Sequence, residues 1–208
     1  MPTTSRPIAA PPRDGTRSRR ASALPPDERR AAIVTATVPL LMTHGTAVTT
    51  RQIAEAAGIA EGTIFRVFAD KDAVIHAAIE AVFDTAPLTA ALAAIDPGLA
   101  LPERLEAAVR IIQERIERIW HLVSVVGATT VAAERDAVLR RRERDDLSAL
   151  TALFEPERDH IRIAPNVAAQ ILRGMTLAGA HPSLATEVQL SPAEIVSVVL
   201  DGIRGDVC

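Results

Sequence analysis

The chain has 208 residues and a net charge of −3, is 48% apolar, and has only 2% aromatics, with no Tyr and a single Trp. That length can bury a sizeable core as one domain or two, and a core so poor in aromatics must be built of Ala, Leu, Val and Ile, which suits closely packed helices better than strands. The lone Cys208 excludes an internal disulfide and fits a cytoplasmic chain, and the uncharged run of 15 residues from Ile119 to Ala133 is too short for a membrane span.

In chain order, Met1 to Pro26 holds six of the fourteen prolines together with Arg6, Arg13, Arg17, Arg19 and Arg20. It lacks apolar periodicity, so a disordered basic arm is expected over 1–26. Asp27 to His44 reads as the first helix, with Asp27 as N-cap and Gly45 past its end. Ile33, Ala36, Val38, Leu40 and Leu41 give it an apolar face. Pro39 removes the bond to Thr35 and is expected to kink it.

The stretch Thr49 to Lys71 has the most demanding spacing in the chain. Thr49 and Gln52 form a capping box ahead of Ile53, Ala54 and Ala57. Gly58 supplies the left-handed residue that closes this short helix. A second helix is expected from Glu61 to Phe68, with Ile64 and Phe68 on one face and Gly62, Thr63 and Arg66 on another. Two short helices joined by a glycine turn, apolar on one side and small, polar and basic on the other, make a helix-turn-helix. Charge agrees with such a head: residues 1–71 hold ten Lys or Arg against six Asp or Glu, and the rest of the chain holds 13 against 20. A basic end beside an acidic remainder suits contact with nucleic acid.

This segment resembles the DNA-binding domain of the TetR family of bacterial repressors. The resemblance rests on Gly45, Ile53-Ala54, Ala57-Gly58, Gly62-Thr63-Ile64-Phe65, Phe68 and Lys71, and covers roughly Arg30 to Ile79. The family usually has Tyr where Phe65 stands, often His at Val67, and Ser at Ala60. The first two phosphate hydrogen bonds and the side-chain cap of the recognition helix are therefore missing here. The resemblance implies an all-α fold, with a three-helix helix-turn-helix domain over 27–70 and a helical bundle over 71–208 for effector binding and dimerisation. It also implies a ligand-responsive repressor that binds palindromic operator DNA as a dimer. Thr63 and Arg66 are then the candidates for base edges, with Gly62 and Phe65 beside them. Thr49, Thr50, Arg51, Gln52 and Lys71 are the candidates for phosphates. The N-terminal arm is either a passive tail or a further contact with DNA.

Asp70 is expected to cap a fourth helix from Lys71 towards Ala86, with Ile75, Ala78, Ile79, Val82 and Phe83 inward and Pro87 as its stop. Leu101-Pro102 opens an amphipathic helix with Leu105, Ala108, Val109, Ile112, Ile116 and Ile119 inward. Past Trp120 charges vanish until Glu134, which predicts burial on all sides. A further helix is expected from Ala132 to Phe154. Its Arg140, Arg141, Arg142 and Arg144 are interleaved with Glu143, Asp145 and Asp146, as on a solvated, ion-paired face. The last two helices are expected over Asn166–Ala180 and Pro192–Arg204, the second capped by Ser191 and Glu194. Val167, Ile171, Gly174 and Ala178 make a stripe on the first, and Val196, Val199, Leu200 and Ile203 one on the second. These stripes either meet a second copy of the chain, as the resemblance implies, or complete the subunit core. For a small apolar or amphipathic effector the candidates are Phe83, Trp120, His121, Phe154 and Met175. The five histidines lie on separate elements without ligand spacing, and no glycine pattern for phosphate is present. No enzyme activity, metal or cofactor is expected. A constitutive DNA binder, or a helical binding protein without DNA affinity, are the readings left beside the repressor.

Overall fold

The computed structural model describes residues 25–128, 130–132, 147–181 and 189–203, and the described residues form helices without a strand. The N-terminal arm and the arginines 140, 141, 142 and 144 lie outside them. α1 (Pro26–His44) begins after Pro25, so Asp27 sits inside its first turn rather than capping it, and the helix continues through Pro39. The Thr35 carbonyl deprived of a donor by Pro39 belongs to an exposed residue. A short 3-10 turn, Gly45–Ala47, leads to α2 (Thr50–Ala56).

The caps of α2 follow from the sequence. Gln52 N donates to Thr49 Oγ1 at 3.2 Å and Thr49 N donates to Gln52 Oε1 at 2.9 Å, completing the capping box. At the other end Ile59 N reaches Ala54 O and Gly58 N reaches Glu55 O, the paired bonds of a Schellman turn. Gly58 takes the positive φ of 66° that this turn requires. α3 (Glu61–Ile64) is shorter than expected. Beyond Ile64 the chain loosens into turns, although the N–H groups of Val67 and Phe68 both still reach the Ile64 carbonyl at 2.9 Å. Phe68 is buried, and the Arg30 guanidinium lies 4.2 Å from its ring centroid, a cation–π contact that ties α1 to the end of the turn.

α4 (Lys71–Phe83) starts on its Asp70 cap, Ala73 N donating to Asp70 Oδ1 at 2.8 Å. It stops three residues before Ala86, because Asp84 takes an extended conformation. A helix not foreseen, α5 (Ala86–Ala93), follows. Pro87 lies in its first turn, where a missing N–H costs nothing, so the proline starts a helix instead of ending one. The stretch Lys71–Ala93 is long and apolar enough on average for a membrane span, but it is broken at Asp84–Thr85 and packs its apolar residues into two cores.

α6 (Leu101–Val126) is the longest described helix. It is followed by α7, described over 147–154, a 3-10 turn (Glu155–His160), α8 (Pro165–Ala180) and α9 (Pro192–Ile203). One core joins α5, the first two-thirds of α6, α7, α8 and α9. The other joins α1 to α4, and it also takes in Leu122 and Val126 from the end of α6 and Val131. Each fully buried Leu or Ile in these clusters contributes roughly 1.5–3 kcal/mol. α6 therefore belongs to both cores. Its last turns are one-sided rather than buried all round: Leu122 and Val126 point inward, while His121, Ser124 and Val125 are exposed. They join body to head, with His121 Nε2 3.1 Å from Met42 O and Val125 against Gly45.

Buried polar groups lock the body. Arg104, 4% exposed, donates to Pro97 O at 2.9 Å and pairs with Glu157 at 3.2 Å, tying the α5–α6 loop to the turn after α7. Gln113 donates to Leu190 O at 2.8 Å, fastening the start of α9 to α6.

Candidate nucleic-acid interface and ligand cavity

The head presents α3 by rooting one side of it. Ile64 and Phe68 are buried in the head core, which turns Gly62, Phe65 and Arg66 to solvent and leaves Thr63 half-buried. Phe65 is 53% exposed, unusual for an aromatic side chain with no partner, so it stands as an apolar contact surface beside Arg66. Arg51 on α2 is exposed too, and neither Arg51 nor Arg66 pairs with a carboxylate among the described residues.

The other candidates for phosphate contact are already engaged within the head. Thr49 and Gln52 hold each other in the capping box. Thr50 donates its hydroxyl to Glu61 at the start of α3. Lys71 Nζ donates to Thr46 O at 3.0 Å, which pins the start of α4 to the α1–α2 connection and leaves two of its three donors. α3 begins at Ala60 without a side-chain cap.

In the body a cavity of about 440 Å³ opens between α5, α6 and α8. Of the five candidate effector residues, Phe83 and Trp120 line it. His121 does not, being exposed and turned to α1; Phe154 is fully buried in the core; Met175 packs against that core. Bulk and polarity on a helix do not tell which side a residue faces, and these three face elsewhere. The polar lining that the sequence did not point to is Thr85, Arg115, Arg173 and His181. Arg173, Leu177 and His181 recur at four-residue spacing, one helical stripe on α8, and that spacing was the available signal. Arg115 donates to the carbonyls of Phe83 at 2.9 Å and Asp84 at 2.8 Å, so a cavity wall also closes the C-terminal end of α4. His181 meets Trp120 edge to face, with ring centroids 4.3 Å apart at 74°.

Residues 33–78, from within α1 to the middle of α4, match the family model for bacterial regulatory proteins of the tetR family. The head is similar to that of TetR-family regulators. No curated protein matches the chain. Solved structures match the fold over almost the whole length. One assigned to the TetR-family regulators of Mesorhizobium loti has 17% identity and a TM-score of 0.60 over 88% of this chain and 100% of its own. A TetR transcriptional regulator from Streptomyces coelicolor has 24% identity and a TM-score of 0.55, with 86% and 99% covered. SmeT, the repressor of a Stenotrophomonas maltophilia multidrug efflux pump, has 20% identity and a TM-score of 0.54, with 86% and 91% covered. At these identities the likeness is one of fold. Among its described residues the chain is all-α, with a head that matches the tetR-family model over residues 33–78 and a helical body that shares the fold of these regulators.

The two expected contact stripes of the body fare differently. On α8, Val167 and Ile171 are 42% and 39% exposed, and Gly174 and Ala178 are exposed as well. On α9, Val196, Val199 and Leu200 are only 2–3% exposed, because they pack into the subunit's own core with Leu172 and Ala169. They are therefore corrected to core residues. The side chain of Ile203 lies outside the described ones. The outward apolar residue of α9 is Val198, 59% exposed. An apolar stripe fixes that a helix is covered, not by what.

Proposed function

We propose that the chain is a ligand-responsive repressor of the cytoplasm that binds palindromic DNA as a homodimer. The observation that carries this reading is Arg66 facing solvent beside Phe65 in the turn that follows α3, with Ile64 and Phe68 buried behind them. Arg66, aided by Thr63, reads base edges, an Arg–guanine pair being worth about 1–3 kcal/mol of discrimination. Arg51, Lys71 and the cap residues Thr49, Thr50 and Gln52 set the head on phosphates. Two subunits meet through the exposed stripe of Val167, Ile171, Gly174 and Ala178 on α8, joined by Val198 of α9. Gly174 and Ala178 let the helices approach closely. That pairing places two recognition helices in successive major grooves, roughly 34 Å apart or somewhat more.

The cavity holds the effector, an apolar or amphipathic small molecule. SmeT, a repressor of similar fold, has been solved in complex with triclosan. Coupling runs through Arg115, which touches both the cavity and the end of α4: a ligand that changes its position favours one spacing of the heads over another. The test is fluorescence anisotropy with duplex DNA flanking the chain's own gene, over a range of salt. Binding that weakens with salt and is lost with Arg66→Ala supports the repressor. Absence of binding to any flanking duplex favours a ligand-binding protein without DNA affinity. Binding that no ligand of the cavity relieves favours a constitutive regulator.

A further inference from the structure

We infer that the cavity's ligand is an amphipathic anion, an apolar body bearing one carboxylate or a comparable acidic group, with Arg173 as its anchor. This rests on the reading of the cavity as the effector site. The ionisable groups of its described lining are Arg115, Arg173 and His181, all basic. They stand in a body whose sequence beyond residue 71 holds 20 acidic residues against 13 basic ones. The walls thus select one sign of charge where the surroundings have the other.

The three basic groups do not have equal standing. Arg115 is committed to the Phe83 and Asp84 carbonyls. His181 is set against the edge of Trp120. Arg173 is half-buried, and no hydrogen bond or ion pair joins it to another described residue. A guanidinium that has given up part of its water without gaining a partner is matched by a carboxylate, whose two oxygens accept its parallel N–H donors. Apart from Thr85 the rest of the lining is apolar, with Leu88, Leu92, Ile112, Ile116 and Leu150 among it. It takes up the apolar body of the ligand at a volume ordinary for such sites. A cationic amphiphile meets like charge there, and a neutral one leaves Arg173 unpaired.

Isothermal titration of the full chain with decanoate, decanol and decyltrimethylammonium separates charge from tail, because the three share one chain length. Decanoate is expected to bind at least about tenfold more tightly than decanol, and the ammonium most weakly. Arg173→Gln is expected to abolish the advantage of decanoate while leaving decanol binding unchanged, which also shows that the variant is folded. Equal affinity of decanoate and decanol, an advantage that survives in Arg173→Gln, or tightest binding of the ammonium overturns the inference. Failure of the underlying reading is distinct. If none of the three binds, or if Leu177→Trp at the partly exposed wall leaves all binding intact, the cavity is not the ligand site and the inference falls with it.

Discussion

Gly45 packs against Val125 in the last turn of α6, and Gly45→Ala should be among the most damaging single-methyl substitutions in the chain. Its φ of 57° and ψ of −148° lie where residues with a Cβ are strained, at a conformational cost of about 1–3 kcal/mol. A Cβ there would also stand 2.9 Å from Val125 O and 3.3 Å from Val125 Cγ1. The nearer atom belongs to the α6 backbone and cannot swing aside, so forcing the helices apart adds about 1–3 kcal/mol of the overpacking kind. Gly58→Ala is the internal control. Gly58 has a φ of 66°, but a Cβ there meets nothing within 4 Å, so only the conformational part applies. Urea unfolding followed by circular dichroism should therefore show Gly45→Ala as the more destabilised by about 1–3 kcal/mol at unchanged slope. Hydrogen exchange should place the loosening at the end of α1 and the last turns of α6. Equal destabilisation by the two substitutions refutes the claim that α6 abuts this glycine.

Four further outcomes are expected. Arg66→Ala should lose about 1–3 kcal/mol on the preferred duplex and flatten the differences among base-substituted duplexes measured by anisotropy; an unchanged preference removes Arg66 from base reading. Ile171→Glu should give monomers in analytical ultracentrifugation at an unchanged melting temperature, whereas Leu200→Ala should cost about 2–4 kcal/mol in the subunit itself; a persistent dimer with Glu at 171 moves the interface elsewhere. Arg115→Met removes two bonds to the end of α4 and should destabilise by roughly 1–3 kcal/mol, with faster hydrogen exchange confined to the α4–α5 junction. The Glu194 carboxyl is held below the ordinary carboxylate range, chiefly by the Ser191 hydroxyl and then by the Ser191 N–H. Its contribution is thus present above the usual carboxylate value and lost as pH falls through the lowered one, so the first turn of α9 should fray on acidification, and Ser191→Ala should remove that dependence in hydrogen exchange.

What could be read from the chain was mostly local. The Thr49–Gln52 box, the Gly58 turn, the Asp70 cap and the Ser191–Glu194 cap are each settled by residues within five positions of one another, and all four formed. Pro87 misled because a proline has opposite effects at the first turn and in the middle of a helix, and periodicity did not distinguish the two. The shortening of α3 reflects Phe68 turning in to meet the head core and Arg30, a tertiary demand. The apolar stripes of α8 and α9 were visible as stripes, but whether Val199 packs with Leu172 of its own subunit or meets another chain depends on how helices far apart in sequence are laid side by side. The cavity lining has the same origin, since α5, α6 and α8 bring Leu88, Arg115 and Arg173 together from three separate stretches.

Because Leu122, Val126 and Val131 complete the hydrophobic cluster of the first four helices, the DNA-reading end is not a portable module. A fragment cut at the α4–α5 junction would lose Leu122, Val126 and Val131 from that cluster, leave part of it facing water, and would be expected to aggregate or melt. Grafting this reader onto a foreign regulatory body would require importing the tip of α6 with it. Evolution of new specificity in such a chain is correspondingly confined to the outer side of α3, where residues can change without asking anything of that shared seam.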